Sequence, residues 1–230
     1  ITREREKQWV IDYIRTGRAL HPDGFLLSHL GNLQTVLTES ELPIYANYPF
    51  HFFNSYTSKI FDQQRIKGFT LSPELTKGEI LALVNRQEFD QMEVEIIVFG
   101  ALELMVSQFC PVGAWAGQKP PQTCPRPCKL GQYFLRDRKT IDFPVVVDDF
   151  CRMHLLNSRY LSLLREFELL GDKRLSLRLE LRHQKPELAA KVISIFQKAL
   201  AAGGSEEDQS ALEAILDQGL TRGHFYRGVE

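Results

Sequence analysis

The sequence has no cysteine before position 110 or after position 151, which excludes a disulfide framework spanning the chain. No run approaches the ~20 consecutive apolar residues of a membrane span. The start, ITREREKQWV, lacks the apolar centre of a signal peptide. The expectation is therefore a cytoplasmic protein. The first residue is Ile1 rather than Met, so the chain is expected to be a piece of a longer protein, with part of its fold supplied from outside. A formal net charge of -1 gives no global attraction to nucleic acid, so any such partner has to be held locally. There is no HExxH zinc site, no nucleophile elbow, no internal repeat and no low-complexity tract.

What is present is an ordinary globular composition: 230 residues, 43% hydrophobic and 25% charged, enough to bury a core in one structural domain. Residues 2–16 place Trp9, Val10, Tyr13 and Ile14 at helical spacing, which predicts an amphipathic helix. Six short apolar runs follow, at 24–28, 43–48, 66–72, 94–100, 151–158 and 174–180, with helical patterns between most of them. This alternation predicts β/α units on a mainly parallel sheet. Thr76 and Glu79, three apart before ILALVN, have the spacing of a capping box. A helix is expected over 186–201, a stop at Gly203-Gly204, and a shorter helix over 210–218. The organisation expected is β/α units over 1–109, an inserted segment over 110–150, and further units with C-terminal helices over 151–230.

The inserted segment carries the chemistry. Pro111, Pro120, Pro121, Pro125 and Pro127 oppose regular helix there, and a loop this long inside a compact domain is usually functional or disordered. Cys110, Cys124, Cys128 and Cys151 are separated by thirteen, three and twenty-two residues. Four thiolates on a proline-stiffened loop suit a metal. The Cys124–Cys128 pair fits one zinc knuckle, but Cys110 and Cys151 stand singly. The pattern leans towards iron–sulfur ligation and leaves zinc open, the more so in protein prepared in air. Lys119, Arg126, Lys129, Arg136, Arg138 and Lys139 face a single acid, Asp137, between positions 111 and 139. That excess either receives an anionic substrate or offsets thiolate charge.

The stretches EIIVFGALELMVSQFCP, CPRPC, QYFLRDRKTIDFPVVVDDFCRMHLLNS and TRGHFYRGV, with LPIYANYPFHFFNS and GFTLSPELT upstream, together resemble the collagenase-like peptidases of family 32. The resemblance runs from about Gly24 to Val229. It implies an α/β fold, a partial or incomplete (β/α)8 TIM-like barrel with an inserted Cys/Pro-rich metal-binding segment. It also implies a 4Fe-4S cluster on the four cysteines. Family members include collagen-degrading proteases and enzymes that hydroxylate RNA or quinone precursors without dioxygen, with prephenate as the implied oxygen source.

Three functions follow as expectations. The first is cluster-dependent hydroxylation of RNA or another aromatic acceptor. The second is a peptidase. The third is a non-catalytic domain stapled by metal, with a partner on its barrel face. In a parallel barrel the reacting groups sit at strand C-terminal ends, which nominates His29, Asn54, Glu74, Arg178 and Glu180, with Arg136 and Asp137 beside the cysteines. Each has a plainer alternative: Asn54 as a helix cap, Glu74 as a first-turn dipole partner, Arg178 with Glu180 as an interior ion pair, His29 as a polar loop residue. With its first strand units missing, the chain is expected to self-associate, to pair with the missing N-terminal part, or to cover its strand edge with the first helix.

Overall fold

The computed structural model describes residues 4–61, 65–86, 91–117, 123–167 and 175–228. Lys119, Pro120 and Pro121, like the ends of several expected elements, lie outside them. The chain forms two compact units: Ile1–Ile97 with Leu169–Arg178 and Arg222–Glu230, and Val98–Glu168 with Leu179–Thr221.

The first unit starts with α1 (Lys7–Gly17), which buries Ile14 and pairs Arg15 with Glu39 at 2.9 and 3.2 Å. Then β1 (Phe25–Leu27), α2 (Gly31–Glu39), β2 (Ile44–Ala46), α3 (Ser55–Phe61), β3 (Ile66–Thr70), α4 (Lys77–Val84) and β4 (Glu93–Gly100) follow in turn. Strands β1 to β4 lie side by side, all parallel, with Leu27 opposite Ala46, Ala46 opposite Phe69, and Thr70 opposite Glu95. Parallel strands are covered on both faces, so their sequences are short apolar runs. Ile44, Ala46, Phe69 and Val94 are all buried, and Phe52 stacks on Phe69 at 4.2 Å. The joints are capped as their residues dictate. Thr76 and Glu79 form the expected capping box. Arg65 donates to the carbonyls of Leu37 and Ser40 at the end of α2, where unpaired helix carbonyls attract a cation.

The second unit departs from the β/α expectation. Strand β4 runs into β5 (Glu103–Ser107) instead of a helix, and the segment expected to be irregular contains a hairpin, β6 (Tyr133–Arg136) and β7 (Asp142–Val147). The run at 151–158 becomes β8 (Met153–Leu156), which completes an antiparallel sheet in the order β5-β8-β7-β6. The reason is local. YFLR and FPVVV are aromatic and β-branched, and the Asp137 carboxylate accepts the N–H groups of Lys139 and Ile141 to turn the chain between them. Pro144 is tolerated because β7 meets β8 only from Val145 onward.

After β8 come β9 (Tyr160–Ser162), antiparallel to the end of β4, and β10 (Leu175–Glu180). They are followed by α5 (Pro186–Ala202), α6 (Glu206–Ile215) and a short β11 (Leu220–Thr221) parallel to β9. Helix α6 begins four residues before the expected 210 because Ser205 and Asp208 form a second capping box. Phe99, Tyr160, Phe167 and Phe196 form an aromatic core, with Phe99 stacked on Tyr160 at 5.6 Å. Gly100 has φ of 142°, and a Cβ there would stand 2.5 Å from the Glu180 carbonyl oxygen, so no larger residue fits where β4 and β10 end.

Candidate metal centre and strand-end polar site

All four cysteines lie in the second unit, free and half-buried. Cys110 opens a helical turn, where its carbonyl accepts the Ala114 N–H at 3.0 Å and its sulfur accepts the Gly113 N–H at 3.2 Å. A Cβ at Gly113 would lie 3.4 Å from the Cys110 sulfur and 3.5 Å from that of Cys124, so both sulfurs border one methyl-sized space. A Cβ at Gly117 would approach the Cys124 sulfur to 2.8 Å. These two glycines clear room for sulfur.

Between Cys124 and Cys128, two prolines flank Arg126, whose φ of 55° reverses the chain into the 3-10 turn Pro127–Lys129. Burial pushes the Cys128 thiol up, and the nearby Cys110 and Cys124 push it the same way against the opposing pull of Lys129. Three of the thiols therefore share one electrostatic neighbourhood.

Cys151 stands on a separate turn, with φ of 60°, a conformation costly for a residue with a side chain. Asp148 holds that turn: its carbonyl accepts the Cys151 N–H, and its carboxylate accepts those of Phe150 and Arg152 at 2.9 and 2.8 Å. Asp149 pairs with Lys129 at 3.2 Å and Arg126 at 3.6 Å, which ties the Cys151 turn to the Cys124–Cys128 turn. Behind it, His154 is bonded to Glu103 at 2.5 Å and lies 3.4 Å from Asp148, which also receives Arg152 at 2.6 Å. The Glu103 hydrogen bond raises the His154 pKa against the effect of burial. Burial would raise that of Asp148, but its bonds from Arg152 and His154 hold it below the usual carboxylate range.

Among the described residues, no three His, Cys, Asp or Glu side chains stand close enough to share a single metal ion. A tetrahedral zinc with Zn–S of about 2.3 Å demands four sulfurs in mutual contact. The donor set is four thiols, a kind that soft metals take, and the sulfurs of Cys110 and Cys124 border one space beside Gly113.

The other nominated residues are dispersed. Arg136 makes a bidentate pair with Asp142 across the hairpin, both bonds at 2.7 Å, and Asp137 forms the turn already described. Asn54 accepts the N–H groups of Tyr56 and Thr57 at the start of α3. Glu74 is exposed in the turn before α4. The His29 Nδ1 is buried without a hydrogen-bond partner. Glu180, itself buried, accepts from Arg182 at 2.6 Å.

Arg178 is the exception. It donates to Asn47 at 2.9 Å and pairs with Glu95 at 3.4 Å. Asn47 also donates to Ser28 at 2.8 Å, and Thr70 donates to Glu95 at 2.8 Å. Ser28 and Asn47 are the first residues past β1 and β2, while Thr70 ends β3 opposite Glu95. They form a polar row across four adjacent strands. Thr70 and Glu95 line a cavity of about 220 Å³ with Tyr45, Phe69 and Ser176. Sequence reasoning missed Ser28, Asn47, Thr70 and Glu95. Their signal was a polar residue at the same level of each apolar run, legible only once the strands are in register.

A family model described as Peptidase family U32 matches residues 1–229. The chain belongs to this family. The U32 chain is also similar to the tRNA hydroxylation protein P of Escherichia coli (strain K12), with 24% identity over 255 residues that cover 90% of this chain and 56% of that protein. It thus spans little more than half the length of that relative. No solved structure matches the U32 chain. Among its described residues, no helix is long and apolar enough to cross a membrane.

Proposed function

We propose that this chain takes part in hydroxylating tRNA, without dioxygen, with prephenate as the source of the hydroxyl oxygen and a 4Fe-4S cluster held by Cys110, Cys124, Cys128 and Cys151. The observation that carries this reading is the similarity, along 90% of the chain, to a protein named for tRNA hydroxylation. The Cys110 and Cys124 sulfurs, which border one space, support the cluster. When bound, such a cluster supplies one-electron transfer. The chain's own residues do the rest: Arg126 and Lys129 offset thiolate charge, and Asp148, Arg152 and His154 orient the turn that carries Cys151. In the first unit, Arg178 is fixed by Asn47 and Glu95 and supplies a positioned cation for an anionic co-substrate. The parallel strands β1 to β4 are assigned to a partial (β/α)8 barrel, whose strand ends would carry this row.

The peptidase reading gains no support from hydrogen bonding. Among the described residues, the histidine side chains bond to Glu103, Asp148 and the Gly228 carbonyl, and none to a serine, threonine or cysteine that could act as nucleophile. The test is anaerobic purification, iron and sulfide analysis, and mass spectrometry of nucleosides from tRNA incubated with prephenate. A hydroxylated nucleoside that needs both prephenate and bound iron is the expected result. A zinc-filled, sulfide-free protein that cleaves peptides would overturn it.

A further inference from the structure

The second unit contains a cavity of about 500 Å³, a size typical of small-molecule sites. Tyr133 and Phe134 of β6 are part of its lining. His183, Gln184 and Gln218 line it from other segments, and Cys128 is at its edge. The Gln218 Oε1 is buried and has no hydrogen-bond partner. A buried acceptor without a donor is costly, so whatever fills the cavity should present an N–H or O–H there. The same atom repels the oxygens of a carboxylate or a phosphate. Burial and the neighbouring Arg182 lower the His183 pKa, which favours the neutral ring, with one donor and one acceptor. Lys185 also lines the cavity and is the cation there for a phosphate attached to the occupant, since Lys129 is paired with Asp149.

An aromatic lining, an acceptor that requires N–H, an imidazole of mixed capacity and a cation for a linked phosphate together describe a nucleotide. We infer that this cavity receives one nucleobase turned out of its strand, with Gln218 reading the N–H edge of the base. The inference rests on the proposed action on tRNA and adds the place where the base is held. An enzyme that acts on a base must take it out of the stack, and the cost of unstacking is met by such a pocket. The position beside Cys128 puts the base near the proposed centre.

The test uses anaerobically purified protein and saturation-transfer NMR with each of the four ribonucleoside 5′-monophosphates, with ribose 5-phosphate as the control. Base-proton transfer is expected for at least one nucleotide and not for the sugar phosphate. It should fall at least five-fold in Gln218→Leu, which keeps the side-chain volume, and in Phe134→Ala on another part of the wall, with the circular dichroism of each variant unchanged. No transfer with any nucleotide overturns the inference, as does equal transfer to ribose 5-phosphate or unchanged transfer in both variants. Hydroxylation of total tRNA by the same proteins separates the two readings. If wild type and Gln218→Leu hydroxylate at equal rates, the pocket assignment fails and the proposed function stands. If nucleotides bind through Gln218 but no tRNA is hydroxylated, the proposed function fails and the pocket stands.

Discussion

The strand-end row of the first unit and the cysteine turns of the second hold their polar groups in opposite ways. Ser28, Asn47, Thr70 and Glu95 take their places from strand register, and hydrogen bonds of 2.8 and 2.9 Å link them and Arg178. The cysteines stand on turns, with Arg126 and Cys151 in left-handed backbone and exposed ion pairs joining one turn to the next. Exposed ion pairs contribute little, typically under about 1 kcal/mol each. The first site is therefore closed by its own hydrogen bonds, whereas the turns of the second are joined mainly by exposed ion pairs, which a bound metal of the kind proposed would reinforce.

That contrast can be broken by mutation. The largest effect is expected from Cys128→Ser, which should remove bound iron and reduce tRNA hydroxylation by at least about 100-fold, as loss of a metal ligand commonly does. Hydrogen exchange of the β1 to β3 amides should not change. Faster exchange there would mean that the two sites are not independent. Arg178→Ala should do the reverse, leaving iron content intact while lowering stability by about 2 kcal/mol, because Glu95 and Asn47 lose a charged partner. A urea titration reads this directly.

A smaller change, about 1 kcal/mol, is expected from Thr76→Ala, which opens the capping box of α4. The smallest concerns pH. Since the folded state raises the His154 pKa, the stabilisation it contributes is complete below the unfolded value, near 6.5. It is lost as pH rises through the folded value. Thermal melts across that range should show a slope that disappears in His154→Gln. An unchanged slope would remove His154 from the account of the Cys151 turn.

Much of the first unit could be read in advance. The strands at 24–28, 43–48, 66–72 and 94–100 and the Thr76–Glu79 box follow from apolar runs and capping chemistry, both of which are local. The antiparallel sheet was harder to see. Pro144 falls where β7 has only one neighbour, a fact of register that no window of sequence contains. The same limit hid the polar row. Arg178 was legible as a charged residue inside a strand, but Asn47 lies 131 residues away within the run at 43–48, with nothing local to link the two. The four cysteines were visible by their confinement to one segment, while the glycines that make room for their sulfurs were not.

The distance between Asn47 and Arg178 has a further consequence during synthesis. With the chain elongating at about 5–20 residues per second, Asn47 is made roughly 7–26 seconds before its partner 131 residues later exists. For the last 83 residues of that interval Glu95 also lacks its cation, and once β4 is made all four parallel strands wait with it. A nascent chain thus carries its parallel strands with the polar row uncompensated, and only the arrival of β10 closes it.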